Sequence, residues 1–389
     1  MMKILLIEWK SFARADLKEA LTLEGHELVL FPISVTGENL SHNPELEERL
    51  SAVLHKEAPD LVFSVDYWPA VSIVCNREKV RYISWTYDNP HVMLYSHTVT
   101  YPCNIIFVFD QTLWRQFYEA GIRTVHYMPL AANTERLDAI AAVMSSAPQF
   151  AYDVSFVGSL YLEKENHFDQ MMAGLSEYTK GYLNALMAAQ MKIQGYNFIE
   201  EALHPVIEEL HRVYPIHGNE GGMETREYLY AQYIVNRRIT GIERIDLLDA
   251  VAQRKTVDLF THYRDFALPN LRNHGNVDYD TEMPNVFRCS KINLNISLRS
   301  IQSGIPLRAF DIMGSGGFLL SNFQADYLEH FVPGEDFVFY ESKEDLVRKV
   351  EYYLNHEEER QAIARNGHDK IAREHTYRHR VREMLSMCP

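Results

Sequence analysis

The chain has 389 residues, 53 acidic against 38 basic, giving a formal net charge of -15, with 47% hydrophobic and 23% charged residues. That length exceeds what one hydrophobic core usually fills, so two domains are expected, and the composition excludes a disordered chain. The acidic balance argues against phosphate-dominated binding of nucleic acid and against a basic membrane anchor, while two or three local cations would still suffice for a nucleotide diphosphate.

Cys75, Cys103, Cys289 and Cys388 are scattered without C-x-x-C spacing. This argues against a zinc site or a disulfide framework and suits a reducing cytoplasm. No apolar run approaches the ~20 residues of a membrane span. The apolar residues after Lys3 end at Glu8, too soon for a secretory segment, so a cytosolic location is expected.

From the N-terminus, short apolar runs at Lys3–Ile7, Glu27–Pro32, Asp60–Val65, Arg81–Trp85, Asn104–Phe109 and Thr124–Met128 read as strands. Ala13–Leu23, Pro44–Lys56 and Gln111–Ala120 read as helices between them. Strands without polar alternation, separated by helices, mean a parallel sheet covered on both faces, so residues 1–132 form a doubly wound α/β domain. Residues 133–152 carry a Ser-Ser-Ala-Pro stretch (Ser145–Pro148) and read as a linker. A second α/β domain, 153–374, opens on the strand and glycine turn Asp153–Ser159. It contains a helix-rich stretch, 163–253, that holds no recognisable motif and is a candidate for an acceptor groove or a homodimer contact. Strands resume at Thr256–Thr261, Lys291–Ile296, Gly317–Ser321 and Phe337–Tyr340, with helices at Met283–Cys289, Leu307–Met313 and Lys343–Leu354. Charged helices, Glu357–Arg373 and Thr376–Met387, close the chain, and residues 375–389 are a candidate to pack back on the first domain. Two such domains in tandem are expected to face a cleft at the carboxyl ends of both sheets, where open α/β folds bind ligands. A nicotinamide dehydrogenase also has two domains, but the first strand here leads into Glu8-Trp9-Lys10-Ser11 with no glycine fingerprint.

The most informative stretch runs from Lys291 to Leu320. Here a strand leads through the loop Ser303-Gly304-Ile305 into a short helix carrying Arg308 and Asp311, then through Gly314, Gly316 and Gly317 into another strand. Loop amides at a helix N-terminus favour an anion. Arg308 and Asp311, three apart, share a helix face; a guanidinium suits a diphosphate and a carboxylate suits paired ribose hydroxyls. Gly158 and Ser159 end the first strand of the second domain, where amides can meet phosphates or simply form a turn. Arg264 follows another strand of that domain and is either a phosphate contact or a solvated arginine. In the first domain Asp88 follows Arg81–Trp85 in Asp-Asn-Pro, which suits an acid/base group at a sheet edge and equally a turn. His91 is the alternative base. Asp66 and Asp110 also end strands and either line the cleft or, the favoured reading, cap helices, while Trp68 and Tyr87 read as core or rim aromatics that can stack on a sugar. Asp278-Tyr279-Asp280 reads as a cap with solvated charge, and no metal site is expected.

This constellation resembles the nucleotide-sugar site of group 1 glycosyltransferases, and more closely the branch similar to the spore maturation protein CgeB. The resemblance rests on Arg308-Ala309-Phe310-Asp311 before the glycines, Phe331–Asp336, His375–Arg380, Val154–Ser159 and Trp85–Pro90. It implies a GT-B fold, with two Rossmann-like domains facing a central cleft and a helical insertion in the second. It also implies transfer of a hexosyl or N-acetylhexosaminyl unit from a nucleotide-sugar, a UDP-sugar being favoured, to an unidentified acceptor, without a metal or other cofactor. Asp88 and His91 would be catalytic, and Gly158, Ser159, Arg264, Ser303, Gly304, Ile305, Arg308 and Asp311 would hold the donor. Many retaining group 1 enzymes carry E-x7-E; here Asp311 takes the second position and Ser303 falls on the first, so retention or inversion stays open. A nucleotide-sugar epimerase and a non-catalytic sugar-nucleotide-binding protein are the alternatives.

Overall fold

The computed structural model describes residues 1–143, 150–162, 166–219 and 221–388. The chain forms two compact units. One comprises Met1–Ala131, His217–Thr225 and His375–Pro389; the other comprises Ala132–Ile216 and Arg226–Glu374.

In the first unit, β1 (Lys3–Glu8), β2 (Glu27–Pro32), β3 (Leu61–Val65), β4 (Arg81–Thr86), β5 (Asn104–Val108) and β6 (Val125–Tyr127) form one parallel sheet in the order β2-β1-β3-β4-β5-β6. Every residue of β3 and β5 is buried, and both are apolar apart from Ser64 and Asn104. Leu5, Val62, Tyr82 and Ile106 anchor a core that helices cover. One of these, Pro69–Glu78, escapes the helical pattern because its run of Val, Ile and Cys is apolar all round. The chain order reverses between β1 and β3, making that pair the switch point of the sheet.

The second sheet contains β7 (Tyr152–Val157), β8 (Val257–Phe260), β9 (Leu271–Gly275), β10 (Ser290–Asn295), β11 (Leu319–Asn322) and β12 (Val338–Tyr340). It is parallel throughout, in the order β12-β11-β10-β7-β8-β9, with its switch point between β7 and β10. The expected α/β architecture of two Rossmann-like sheets is present. Edge strand β9 has the sequence Leu-Arg-Asn-His-Gly, too polar to announce itself.

Three domain expectations need correction. Within 133–152, Thr134–Val143 is helix, started by the Asn133 side chain accepting the Arg136 amide at 3.1 Å, and Leu137 is buried against Gly314. Ser145–Pro148 lies outside the described residues, as do 163–165. Second, the helix-rich stretch has its own core around Leu183, Ile199, Leu210, Tyr230 and Ile239. Third, His217–Thr225 leaves that stretch for the first unit, where the Asn219 side-chain amide donates to Val92 O at 2.8 Å and the Met223 amide to Tyr95 O at 2.8 Å. The closing helix Tyr377–Ser386 also belongs to the first unit: Arg378 and Arg382 both grip Glu24, at 2.7 and 2.6 Å.

Candidate functional site

The second sheet opens at its switch point onto a buried arginine. Arg244, on helix Asn236–Ala252, is 9% exposed and reaches across the carboxyl ends of β7 and β10. Its Nη1 donates to Ser159 O at 2.6 Å, and its Nε and Nη2 donate to Ile296 O at 3.1 and 2.6 Å. The guanidinium lies over the rings of Phe156 and Tyr161, 5.4 and 5.0 Å from their centroids. Burial works against its charge, and Arg308 is close enough to oppose it further. A buried cation whose hydrogen bonds go to carbonyls favours an anion nearby.

The same helix holds the loop after β10. Glu243 pairs with Arg299 through Nε at 2.6 Å and through Nη2, with both side chains nearly buried, and Thr240 accepts the Arg299 amide at 2.9 Å. Gly241 is required here, since a Cβ would sit 3.0 Å from Leu160 O. Thus the stretch that carries no motif ends in a helix that fixes both loops of the switch point. Its signal was Thr240-x-x-Glu243-Arg244, a run of polar residues within one turn of the helix.

Helix Leu307–Gly314 places Arg308 in its first turn and Asp311 in its last. Their side chains approach to 3.8 Å, confirming a shared face, and the Tyr279 hydroxyl donates to Asp311 Oδ1 at 3.1 Å. Arg308 also touches Met283 Sδ and lies 5.6 Å from the Phe287 centroid. At Gly317 a Cβ would collide with Asn293 Nδ2 at 2.8 Å and Phe287 O at 2.9 Å, and Gly316 has φ 75°. No side chain fits the first position and few tolerate the second.

Ser303, Gly304 and Ile305 are buried, with Ser303 O accepting the Asp326 amide at 3.0 Å. Gly158 and Ser159 are half-buried beside Arg244; Ser159 Oγ accepts the Tyr161 amide at 3.1 Å, so the plain turn is formed as well. Arg264 is the exception. It is exposed beside Gly275, at the end of edge strand β9, away from the β7–β10 switch point. Asp278 accepts the Thr281 hydroxyl first and the Thr281 and Asp280 amides besides, which holds its carboxyl below the usual range, and it serves the turn before helix Met283–Arg288.

In the first unit, Asp66, Asp88 and His91 converge after β3 and β4, with one ligand atom from each lying within 4.8 Å of the others. Asp88 is exposed; Asp66 is fully buried and His91 8% exposed. Asp66 is not a helix cap. Its Oδ1 accepts the amides of Tyr87 and Asp88 at 2.8 and 3.1 Å, while its buried Oδ2 has no hydrogen-bond partner. Its φ of 59° puts a non-glycine residue in the left-handed region. Burial first, and the neighbouring Asp88 second, raise its carboxyl well above the usual range. His91 Nε2 lies 2.8 Å from Tyr67 O, and a carbonyl only accepts, so Nε2 carries the proton and Nδ1 keeps its lone pair. Burial also lowers the His91 pKa and keeps the ring neutral. Burial therefore disfavours the Asp66 carboxylate that a cation would need, while neutral His91 keeps its Nδ1 lone pair. Asp110 does cap helix Gln111–Glu119. Trp68 is buried, with its Nε1 on Val65 O, and so presents no face to a sugar, whereas half-buried Trp9 donates to the same carbonyl at 3.0 Å.

Residues 202–386 match the family model described as glycosyl transferase-like. Among solved structures, a glycosyltransferase from Rickettsia africae has 10% identity and a TM-score of 0.54, over 99% of this chain and 97% of that one. Anabaena HepE in complex with UDP-glucose has 10% identity and a TM-score of 0.56, over 100% and 99%. Sucrose-phosphate synthase from Thermosynechococcus elongatus has 12% identity and a TM-score of 0.53, over 100% and 98%. No curated protein matches. The fold is GT-B. No described helix is long and apolar enough to cross a membrane.

Proposed function

We propose that this GT-B protein transfers a hexosyl or N-acetylhexosaminyl unit from a nucleotide-sugar, UDP-linked in the favoured case, to an acceptor hydroxyl. The observation that carries this reading is the buried Arg244 at the second sheet's switch point, with Arg308 near enough to oppose its charge. The diphosphate would be held by Arg308, by Arg244 behind it, and by the backbone at Gly158–Ser159 and Ser303–Ile305. Asp311 would accept from the ribose hydroxyls. As the donor's glycosidic C–O bond breaks, charge develops on the leaving diphosphate, and preformed cations and amides stabilise it without a metal. Asp88 would take the proton of the attacking hydroxyl, with neutral His91 Nδ1 as the other acceptor and Asp66 holding the Asp88 backbone. HepE, which has this fold, is described in complex with UDP-glucose, and that favours the uridine donor.

A thermal-shift panel of UDP-, GDP- and dTDP-sugars tests this reading. A UDP-sugar at 100 times its dissociation constant is expected to add about 2.7 kcal/mol. Stabilisation by GDP- or dTDP-sugars alone would overturn the uridine assignment. Stabilisation without turnover in the presence of a broad acceptor set would favour a silent binding protein.

A further inference from the structure

A cavity lies at the opposite, amino end of the strands of the second sheet. It has a volume of about 870 Å³ and is lined by Ser290 and Lys291 at the start of β10, by Phe318 just before β11, and by helix Glu357–Glu374. The nucleotide reading uses the carboxyl ends of these strands, so the two places are distinct. The volume falls within the range of about 300–1,000 Å³ that small-molecule sites occupy.

Its lining is cationic, although the whole chain carries -15. Arg288, Arg360 and Arg365 line it, and among the described residues none of them has a carboxylate within ion-pair distance. Arg360 is 1% exposed. Its Nη1 donates to Tyr353 O at 2.9 Å, its guanidinium lies 5.0 Å from the centroid of Phe150, and its Nη2 is buried without a hydrogen-bond partner. Glu357 and Asp153 act on it only at longer range, and burial opposes its charge. The other polar groups are engaged. Lys291 pairs with Asp153 at 2.7 Å, and His368 holds Asp138 at 3.1 Å and Asp369 at 3.6 Å. Leaving a buried guanidinium donor unmet costs free energy, and a planar fork is matched by an oxyanion. Ala141, Ala142 and Ala364 add apolar wall, so the cavity also suits an organic body beside the charge.

We propose that this cavity binds a phosphate-bearing small molecule, with the phosphate on Arg360 and the exposed Arg288 and Arg365 closing over it. Inorganic pyrophosphate, titrated calorimetrically into the full chain at saturating UDP, is the probe. One further equivalent should bind, and the charge reversals Arg288→Glu and Arg365→Glu together should weaken it about tenfold or more while UDP affinity stays unchanged. Both residues are exposed, so these variants keep the core. If UDP does not bind, the same titration without it tests this cavity alone, so the two proposals fail separately. Absence of pyrophosphate binding beyond the nucleotide site, or binding that the charge-reversed chain retains, would overturn the assignment.

Discussion

Asp66 costs the fold something. It is a fully buried carboxyl with one unmet oxygen and left-handed backbone, and such features persist where function requires them. Its folded pKa is raised, so its contribution to stability is full below the ordinary carboxylate value of about 4 and is lost as pH rises through the raised value. Asp66→Asn keeps an oxygen for the Tyr87 and Asp88 amides, tolerates positive φ and cannot ionise. The variant should therefore melt higher than the parent chain at pH 8, with the gap closing towards pH 4, while glycosyl transfer falls about tenfold or more. A lower melting temperature at pH 8, or unchanged turnover, would contradict this role. The sequence concealed Asp66 because a polar residue ending a strand before Pro69 has the pattern of a cap. Only the fold reveals that its partners are 21 and 22 residues away. The position of Asp88 and His91 after β4 was readable, because a strand's carboxyl end is fixed by local pattern.

At the scale of elements, two helices organise the nucleotide reading. Leu307–Gly314 was legible, since glycines on its C-terminal side and an Arg–Asp pair three apart fix its turn and its polar face. Asn236–Ala252 was not, because its polar residues serve strands distant in sequence. Arg308 and Asp311 face one another at 3.8 Å, with side-chain exposures of 28% and 9%, too long and too exposed at the arginine for a strong pair. If they serve only each other, losing either should cost under about 1 kcal/mol of stability and leave nucleotide binding alone. If they serve the donor, Arg308→Ala should weaken UDP by about 1.5–3 kcal/mol, the worth of a charge-assisted contact. Asp311→Asn should weaken uridine as well as UDP. Calorimetry on both folded variants decides. Unchanged UDP affinity in Arg308→Ala would move the donor site away from this helix.

Two parallel sheets whose central strands are buried are a property that sequence carries well: those strands are mostly apolar, and the helices between them restore periodicity. Sequence did not carry the assignment of His217–Thr225 to the first unit, because a loop's partner leaves no local trace. The net charge of -15 bears on the last prediction, metal independence. A nucleotide-sugar is an anion approaching an acidic protein, so its diphosphate needs positive charge at the site itself. A metal-dependent enzyme would bring that charge as a divalent ion on clustered carboxylates. On the proposed reading arginine supplies that charge in the second unit, and the Asp-x-Asp letters at 278–280 are spent on a turn, with Asp278 bonded to its own loop. The Asp66–Asp88–His91 cluster offers three ligand atoms within 4.8 Å, but burial raises the Asp66 carboxyl pKa and so disfavours the carboxylate that a divalent ion needs. Transfer should therefore persist after exhaustive treatment with EDTA, at a rate within about twofold of the untreated protein, since no transition-state charge is lost with the chelated metal. Assays before chelation, after it and after added manganese test this directly. Loss in EDTA that manganese restores would show that the arginines do not neutralise the leaving group alone.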